Sequence, residues 1–209
     1  MLAQDSQVHV AVLARDLNAA QTATAAMIAD YGARAHAVQC DVTDDASVVA
    51  ASERVSEIGG TSLLVLINNA GVAIDLPWVE TPWPPTAAKQ TLAVNFYGAV
   101  RLTEAFLPML KEADDGRVIF VSSGAGRTNL RKMSLENRKL LSSKFLSRDD
   151  LNLIVQDFEL DYEQAATAAS RGSGAPQLPF MSATGLWLQS YGFSKAALGA
   201  YCLILSRQV

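Results

Sequence analysis

Ser62-Leu63-Leu64-Val65-Leu66-Ile67-Asn68-Asn69-Ala70-Gly71 is the stretch on which the fold turns. Six residues, apolar after Ser62, run unbroken and then stop at two asparagines and a glycine. A short continuous apolar run bounded by turn residues reads as a strand buried on both faces. Working outward, Val8-His9-Val10-Ala11-Val12-Leu13-Ala14 is a second run of this kind, Ala35-His36-Ala37-Val38-Gln39 a weaker one, and residues 117–122 a fourth. Between them lie helical patterns. Leu17, Ala20, Thr24, Met27 and Tyr31 recur at helical spacing, and Gly32 stops them as a C-cap would. Thr43 is the expected N-cap of a helix burying Val48, Val55 and Ile58 and closed by Gly59-Gly60. A proline-rich loop with Pro77, Pro82, Pro84 and Pro85 leads into a long helix over 86–111. Strand alternating with helix predicts an α/β fold with a doubly wound parallel sheet.

Past Gly124 the pattern changes. Two polar-faced helical segments, 135–145 and 148–169, precede the Gly172-Ser173-Gly174-Ala175-Pro176 stretch. They read as a helical insertion at 127–188 within a single domain spanning 1–209. The last helix, 190–207, buries Ala197, Leu198, Tyr201 and Leu205.

Composition excludes several classes. The 209 residues are 50% apolar and 18% charged, which rules out global disorder. A net charge of -4 offers no basic footprint for nucleic acid and no polybasic membrane anchor. No apolar run reaches the length of a membrane span. The N-terminus lacks the pattern of a signal peptide. Cys40 and Cys202 are too few for a disulfide framework and lack metal-ligand spacing. A reducing, cytoplasmic setting is the expectation. His9 and His36 lie within strands and read as packing rather than catalysis.

In open parallel sheets ligands bind beyond the carboxyl ends of the strands. The first strand ends Ala14-Arg15-Asp16, and Arg15 suits a ribose 2'-phosphate, favouring NADP over NAD; a surface arginine is the plain alternative. Cys40-Asp41-Val42 ends the second strand, where the Asp41 carboxylate can receive an adenine amino group or offset a helix N-terminus. In Asn68-Asn69-Ala70-Gly71, the glycine lets backbone approach a ligand and the amides can tie neighbouring strands together. Ser123, at the fourth strand's end, could donate to a carbonyl oxygen as charge develops there, or merely form a turn. Asn95 sits mid-helix among apolar residues, bonded to backbone or holding a water. In Ser190-Tyr191-Gly192-Phe193-Ser194-Lys195-Ala196-Ala197, the phenol of Tyr191 and the ammonium of Lys195 are one helical turn apart on one face. A cation there favours the phenolate and makes the hydroxyl a usable general acid.

These words, Asn68-Asn69-Ala70-Gly71, Asn95, Ser123 and Tyr191 to Ala196, occur in the order and on the elements that resemble the short-chain dehydrogenase/reductase family. The long separation of Ser123 from Tyr191 is similar to the carbonyl-reductase branch. The resemblance implies reduction of a small-molecule carbonyl by hydride transfer from NADPH. Tyr191 would protonate the oxygen, Lys195 would lower its pKa and bind the nicotinamide ribose, Ser123 would polarise the carbonyl and Asn95 would anchor a relay water. Asn69, Ala70, Gly71, Arg15, Asp41 and Val42 would meet the cofactor, and Trp78, Trp83 and Trp187 could line the substrate pocket. A monomer is implied if the chain is complete. The family's first strand with its glycine-rich turn has no counterpart, nor do its C-terminal strands; Gly124-Ala125-Gly126 and Gly172-Ser173-Gly174 do not open the first βα unit. In the order 3-2-1-4-5-6 that first strand would lie between the 8–14 and 62–67 strands, so both are expected to show unpaired edges. The chain alone is expected to bind NADPH weakly or not at all. The competing expectation is a non-catalytic homologue or fragment that pairs with another chain.

Overall fold

A computed structural model describes residues 8–75, 84–171 and 189–208. Trp78, Trp83 and Trp187, with the Gly172–Pro176 stretch, lie outside the described residues. The chain divides into two compact units, Met1–Asn68 with Val100–Ile119, and Asn69–Ala99 with Phe120–Val209.

The first unit opens with the expected strand and helix, β1 (His9–Ala14) and α1 (Leu17–Tyr31). Asp16 caps α1 by accepting the Asn18 and Ala19 amides, and Gly32 closes it with φ 64°, the left-handed conformation that glycine takes without strain. Strand β2 (Arg34–Gln39) pairs parallel with β1, His9 opposite Arg34 and Ala14 opposite Gln39. The two histidines meet across this pair, their rings stacked at 5.3 Å; His9 is exposed and His36 half-buried.

Helix α2 (Asp45–Gly59) is capped by Asp44, not Thr43. The Asp41 carboxylate explains the shift. It accepts both the amide and the hydroxyl of Thr43, closing a turn that leaves Asp44 to bond the Ala46 amide. Strand β3 (Val65–Asn68) pairs with β4 (Arg117–Phe120).

The α/β character is as expected, and so is the break in the sheet. The described strands form two separate two-stranded sheets, β1-β2 and β3-β4, so β1 and β3 each have one edge with no strand on it. A single apolar core nevertheless joins them within the unit. Val38 and Leu66 pack with Val48, Ala51 and Val55 of α2 and with Leu102, Phe106 and Leu110 of α4 (Ala99–Lys111). This cover is one-sided. Leu66 is buried, but its neighbour Ile67, which a strand aims at the opposite face, is 49% exposed. The expectation of a β3 buried on both faces therefore fails at alternate residues.

The long helix expected over 86–111 arrives in three consecutive pieces: α3 (Ala87–Leu92), a π-helical segment (Ala93–Gly98) and α4. The wide turn falls on Asn95, whose side chain bonds outside the helix. One-turn π segments mark such places.

The second unit is helical. It holds α3, the π segment, α5 (Gly124–Lys132), α6 (Leu135–Leu141), α7 (Arg148–Ser170) and α8 (Gln189–Leu205). Ser147 and Asp150 form a reciprocal capping box that starts α7. Although α7 looks polar in sequence, it buries Leu151, Ile154, Val155, Phe158, Tyr162 and Ala166. Its Phe158 ring stacks on Phe193 of α8 with centroids 3.7 Å apart. Tyr201 of α8 is ringed by Phe96 and Phe120 edge-on, with the Arg148 guanidinium 4.9 Å above it. No helix among the described residues is long and apolar enough to cross a membrane.

Candidate active site

Everything expected of the chemistry lies on the second unit: Asn95 on the π segment, Ser123 before α5, and Tyr191 and Lys195 on α8. The helix places the Lys195 ammonium 5.7 Å from the centre of the Tyr191 ring. Lys195 is only 5% exposed, and Nζ donates to the Val121 carbonyl at 2.8 Å. That bond ties α8 to the end of the fourth strand, two residues before Ser123. Burial pulls the Lys195 pKa below its usual 10.5, because a buried ammonium is poorly solvated.

Ser123 is half-buried and is the N-cap of α5, its Oγ accepting the Ala125 amide at 3.1 Å. That bond uses the oxygen as acceptor and leaves the hydroxyl proton to donate elsewhere.

Asn95 is 1% exposed. Its Oδ1 accepts the Val72 amide at 2.8 Å, while Nδ2 donates to the Val72 carbonyl at 2.9 Å and to Ser194 Oγ at 3.0 Å. Both amide hydrogens are thus spent on protein. Ser194 in turn donates to the Tyr191 carbonyl at 2.7 Å. A chain of bonds runs from the loop after β3, through Asn95, into the turn of α8 that carries Tyr191 and Lys195. Gly71 passes the same place. A Cβ there would lie 3.4 Å from Asn95 Oδ1 and 3.6 Å from Lys195 Nζ. Asn69 and Ala70 are exposed beside it. Asn68 does not tie strand to strand. It is buried in the first unit and donates to Thr103 Oγ1 of α4 at 3.0 Å.

Two glycines bring α5 against α8, a contact that the sequence reading did not find. A Cβ on Gly126 would fall 2.9 Å from the Lys195 carbonyl carbon, and one on Gly192 would fall 3.0 Å from Asn129 Cβ. Asn129 Nδ2 also reaches the Gln189 carbonyl at 3.4 Å. The signal available was weak: glycines inside helical sequence, costly unless something packs there.

The remaining expected cofactor residues belong to the first unit. Arg15 is exposed at the end of β1. The Asp41 pKa is held below the usual carboxylate value chiefly by the hydroxyl and amide of Thr43, with a smaller contribution from the Arg15 charge. The Val42 carbonyl accepts Arg101 at 2.7 Å, and Arg101 also pairs with Asp45. The described residues contain no cluster of three metal-ligating side chains.

Known proteins bear on this arrangement. The chain is 27% identical over 188 residues to (+)-neomenthol dehydrogenase of Arabidopsis thaliana, an alignment covering 81% of this chain and 58% of that protein. The menthone neomenthol reductase structure from Mentha piperita superposes with a TM-score of 0.76 at 24% identity, over 96% of this chain and 77% of that one. A metagenomic short-chain oxidoreductase solved in complex with NADP matches 57% of this chain and 53% of its own at 29% identity and a TM-score of 0.50. The chain thus spans less than two thirds of the length of the curated Arabidopsis relative. The profile described as short chain dehydrogenase matches residues 2–135, more than half of the sequence, and the chain belongs to that family.

Proposed function

We propose that the second unit's polar cluster performs NADPH-dependent reduction of an aldehyde or ketone to an alcohol. The observation that carries this reading is the Lys195 ammonium, buried, 5.7 Å from the Tyr191 ring and bonded to the strand end that precedes Ser123. The cofactor, when bound, supplies the hydride to the carbonyl carbon. Tyr191 gives its hydroxyl proton to the carbonyl oxygen, and Lys195 stabilises the phenolate that this leaves. Ser123 donates its free hydroxyl proton to the same oxygen, sharpened by the Ala125 amide bonded to its Oγ. Asn95 holds Val72 and Ser194, which leaves one lone pair of its Oδ1 for a relay water.

Within each unit taken by itself, the residues present fit one end of a dinucleotide. The space that Gly71 leaves open beside Lys195 suits a ribose at the nicotinamide end, with Asn69 and Ala70 flanking it. At the adenosine end, Arg15 suits a 2'-phosphate, Val42 follows Asp41 in the chain, and Asp41 has Oδ2 for an adenine amino group, Thr43 having taken Oδ1. The relatives agree in kind, since one is named as a dehydrogenase of an alcohol and another was solved with NADP. The test is NADPH consumption over a panel of aldehydes and ketones, for the wild type and for Tyr191→Phe. Turnover by the first and not the second supports the reading; equal turnover sinks it.

The split sheet favours a second reading, a non-catalytic homologue that pairs with another chain. Unpaired edges on β1 and β3 are templates for a further strand. Under this reading a fluorescence titration finds no micromolar affinity for NADPH, and sedimentation finds the chain associated. Micromolar affinity would overturn it.

A further inference from the structure

The first four amides of a helix have no acceptor one turn back. In α8 one of them has found an acceptor far away in sequence. Ser190, the residue before Tyr191, donates its N–H to Oδ2 of Asp75 at 2.7 Å, and its hydroxyl bonds Thr91 Oγ1 of α3 at 3.2 Å. Asp75, Thr91 and Ser190 are all 0% exposed. Asp75 belongs to the loop whose Gly71 lies against Lys195 and whose Val72 is clasped by Asn95. One short loop therefore meets Asn95, Lys195 and the start of the helix between them.

The placement of Asp75 is costly. Among the described residues no cation acts on it, and burial raises its proton affinity against the opposing bonds from Ser190. The Tyr162 hydroxyl lies near the same carboxyl, yet neither that hydroxyl nor Asp75 Oδ1 has an aligned hydrogen bond. The bond to Ser190 needs only an acceptor oxygen, so it survives whether or not the carboxyl is protonated. It also sets a carboxyl oxygen against the positive end of the α8 dipole.

We infer that Asp75 is a positioning residue for Tyr191: from the loop after β3 it caps the first turn of α8 and so fixes where the phenol stands relative to Lys195. The inference rests on the reading of Tyr191 as the proton donor, but the cap itself can be measured apart from turnover.

The experiment is residue-resolved amide hydrogen exchange on the whole chain for the wild type, Asp75→Ala and Asp75→Asn, joined to steady-state kinetics. In the wild type, Ser190 should exchange slowly, as an uncapped first-turn amide would not. Asp75→Ala should speed exchange at Ser190 by about tenfold or more while leaving the second half of α8 protected. Asp75→Asn, which keeps an acceptor, should restore most of that protection. In turnover, Asp75→Ala should lower kcat with the NADPH KM unchanged, and Asp75→Asn should recover it. A residue that merely packs would not give that split or that rescue. Should Asp75→Ala fail to fold, the wild type and Asp75→Asn still decide. Fast exchange at Ser190 in the wild type, or loss of its protection in Asp75→Asn, overturns the cap. Slow exchange with no carbonyl turnover by the wild type would retain the cap and remove Tyr191's catalytic part, which overturns the positioning role.

Discussion

In the unit that carries the strands, apolar side chains stay outside. Ile67 is 49% and Ile119 45% exposed, each on a strand whose alternate residues reach the core or its margin. In the unit that carries α5 to α8 the reverse holds, for Asn95, Ser190, Ser194 and Lys195 are buried among Phe96, Phe193 and Leu198. Burying polar groups is tolerable only when they are hydrogen-bonded, and each of these is: Asn95 to Val72 and Ser194, Ser190 to Asp75 and Thr91, Lys195 to the Val121 carbonyl. An apolar strand face in water is the signature of a layer left without cover. The comparison separates two questions that the sequence runs together: whether the polar cluster is assembled, and whether the sheet that carries the strands is finished.

The sharpest way to break the first half of the comparison is at Tyr191. Tyr191→Phe removes the proton and little else, so NADPH-linked carbonyl reduction should fall by about 10²–10⁴-fold, with the circular dichroism spectrum unchanged. Lys195→Met should fall comparably. The pH behaviour gives an independent reading. Under the proposed reaction the ammonium form of Lys195 is the useful one, so activity should decline as pH rises through its lowered pKa, below 10.5. Stability should move the opposite way. Between the lowered folded value and 10.5 the unfolded chain holds a proton that the folded one has lost, so Lys195 makes stability rise with pH in that window. Thermal melts of the wild type against Lys195→Met would show that slope disappear.

Next in size is the stacked pair Phe158–Phe193, both 0% exposed. Phe193→Ala should cost about 3–5 kcal/mol in urea unfolding, because the ring is held by α7 on one side and its own helix on the other. By its sequence 148–169 reads as part of an insertion, and a loss this large would make α7 integral to the unit. Smaller again is Gly126→Ala. The added carbon meets Lys195 main chain at 2.9 Å, and backbone cannot rotate away as a side chain can, so about 1–3 kcal/mol should be lost. Activity should fall further than stability accounts for, since the displaced residue is Lys195 itself.

How much of this was legible follows from what each signal depends on. The βα alternation was visible because apolar runs and glycine stops are local: Gly32 ends α1 where its spacing pattern ends. The break in the sheet could also be anticipated, because the expected strand order does not make β1 and β3 neighbours, and the described strands form two separate pairs. Asn95 announced itself as a polar residue among apolar ones, but its partners, Val72 and Ser194, are 23 and 99 positions away, and nothing local names them. Asp75 was not found at all. An aspartate in a loop is ordinary until the fold buries it 115 positions from its partner. Thr43 was misplaced by one residue because the Asp41 turn competes for the same backbone. The helix α5 has no counterpart among the expected helices, because Gly126, which weakens any helical pattern there, is where α8 packs.

The smallest expected effect probes the second half of the comparison. Replacing Ile67 and Ile119 by lysine should change unfolding free energy by less than about 0.5 kcal/mol each, because neither side chain is covered within its unit. What should change is association. An apolar strand beside an unpaired edge invites another chain, and a lysine on such a strand is a common defence. Sedimentation at rising concentration should therefore show the wild type associating and the double variant less so. A different outcome would be equally instructive. If the lysines cost several kcal/mol, as core substitutions do, then Ile67 and Ile119 are covered in solution, and the strand-bearing unit is finished by something that packs on that face.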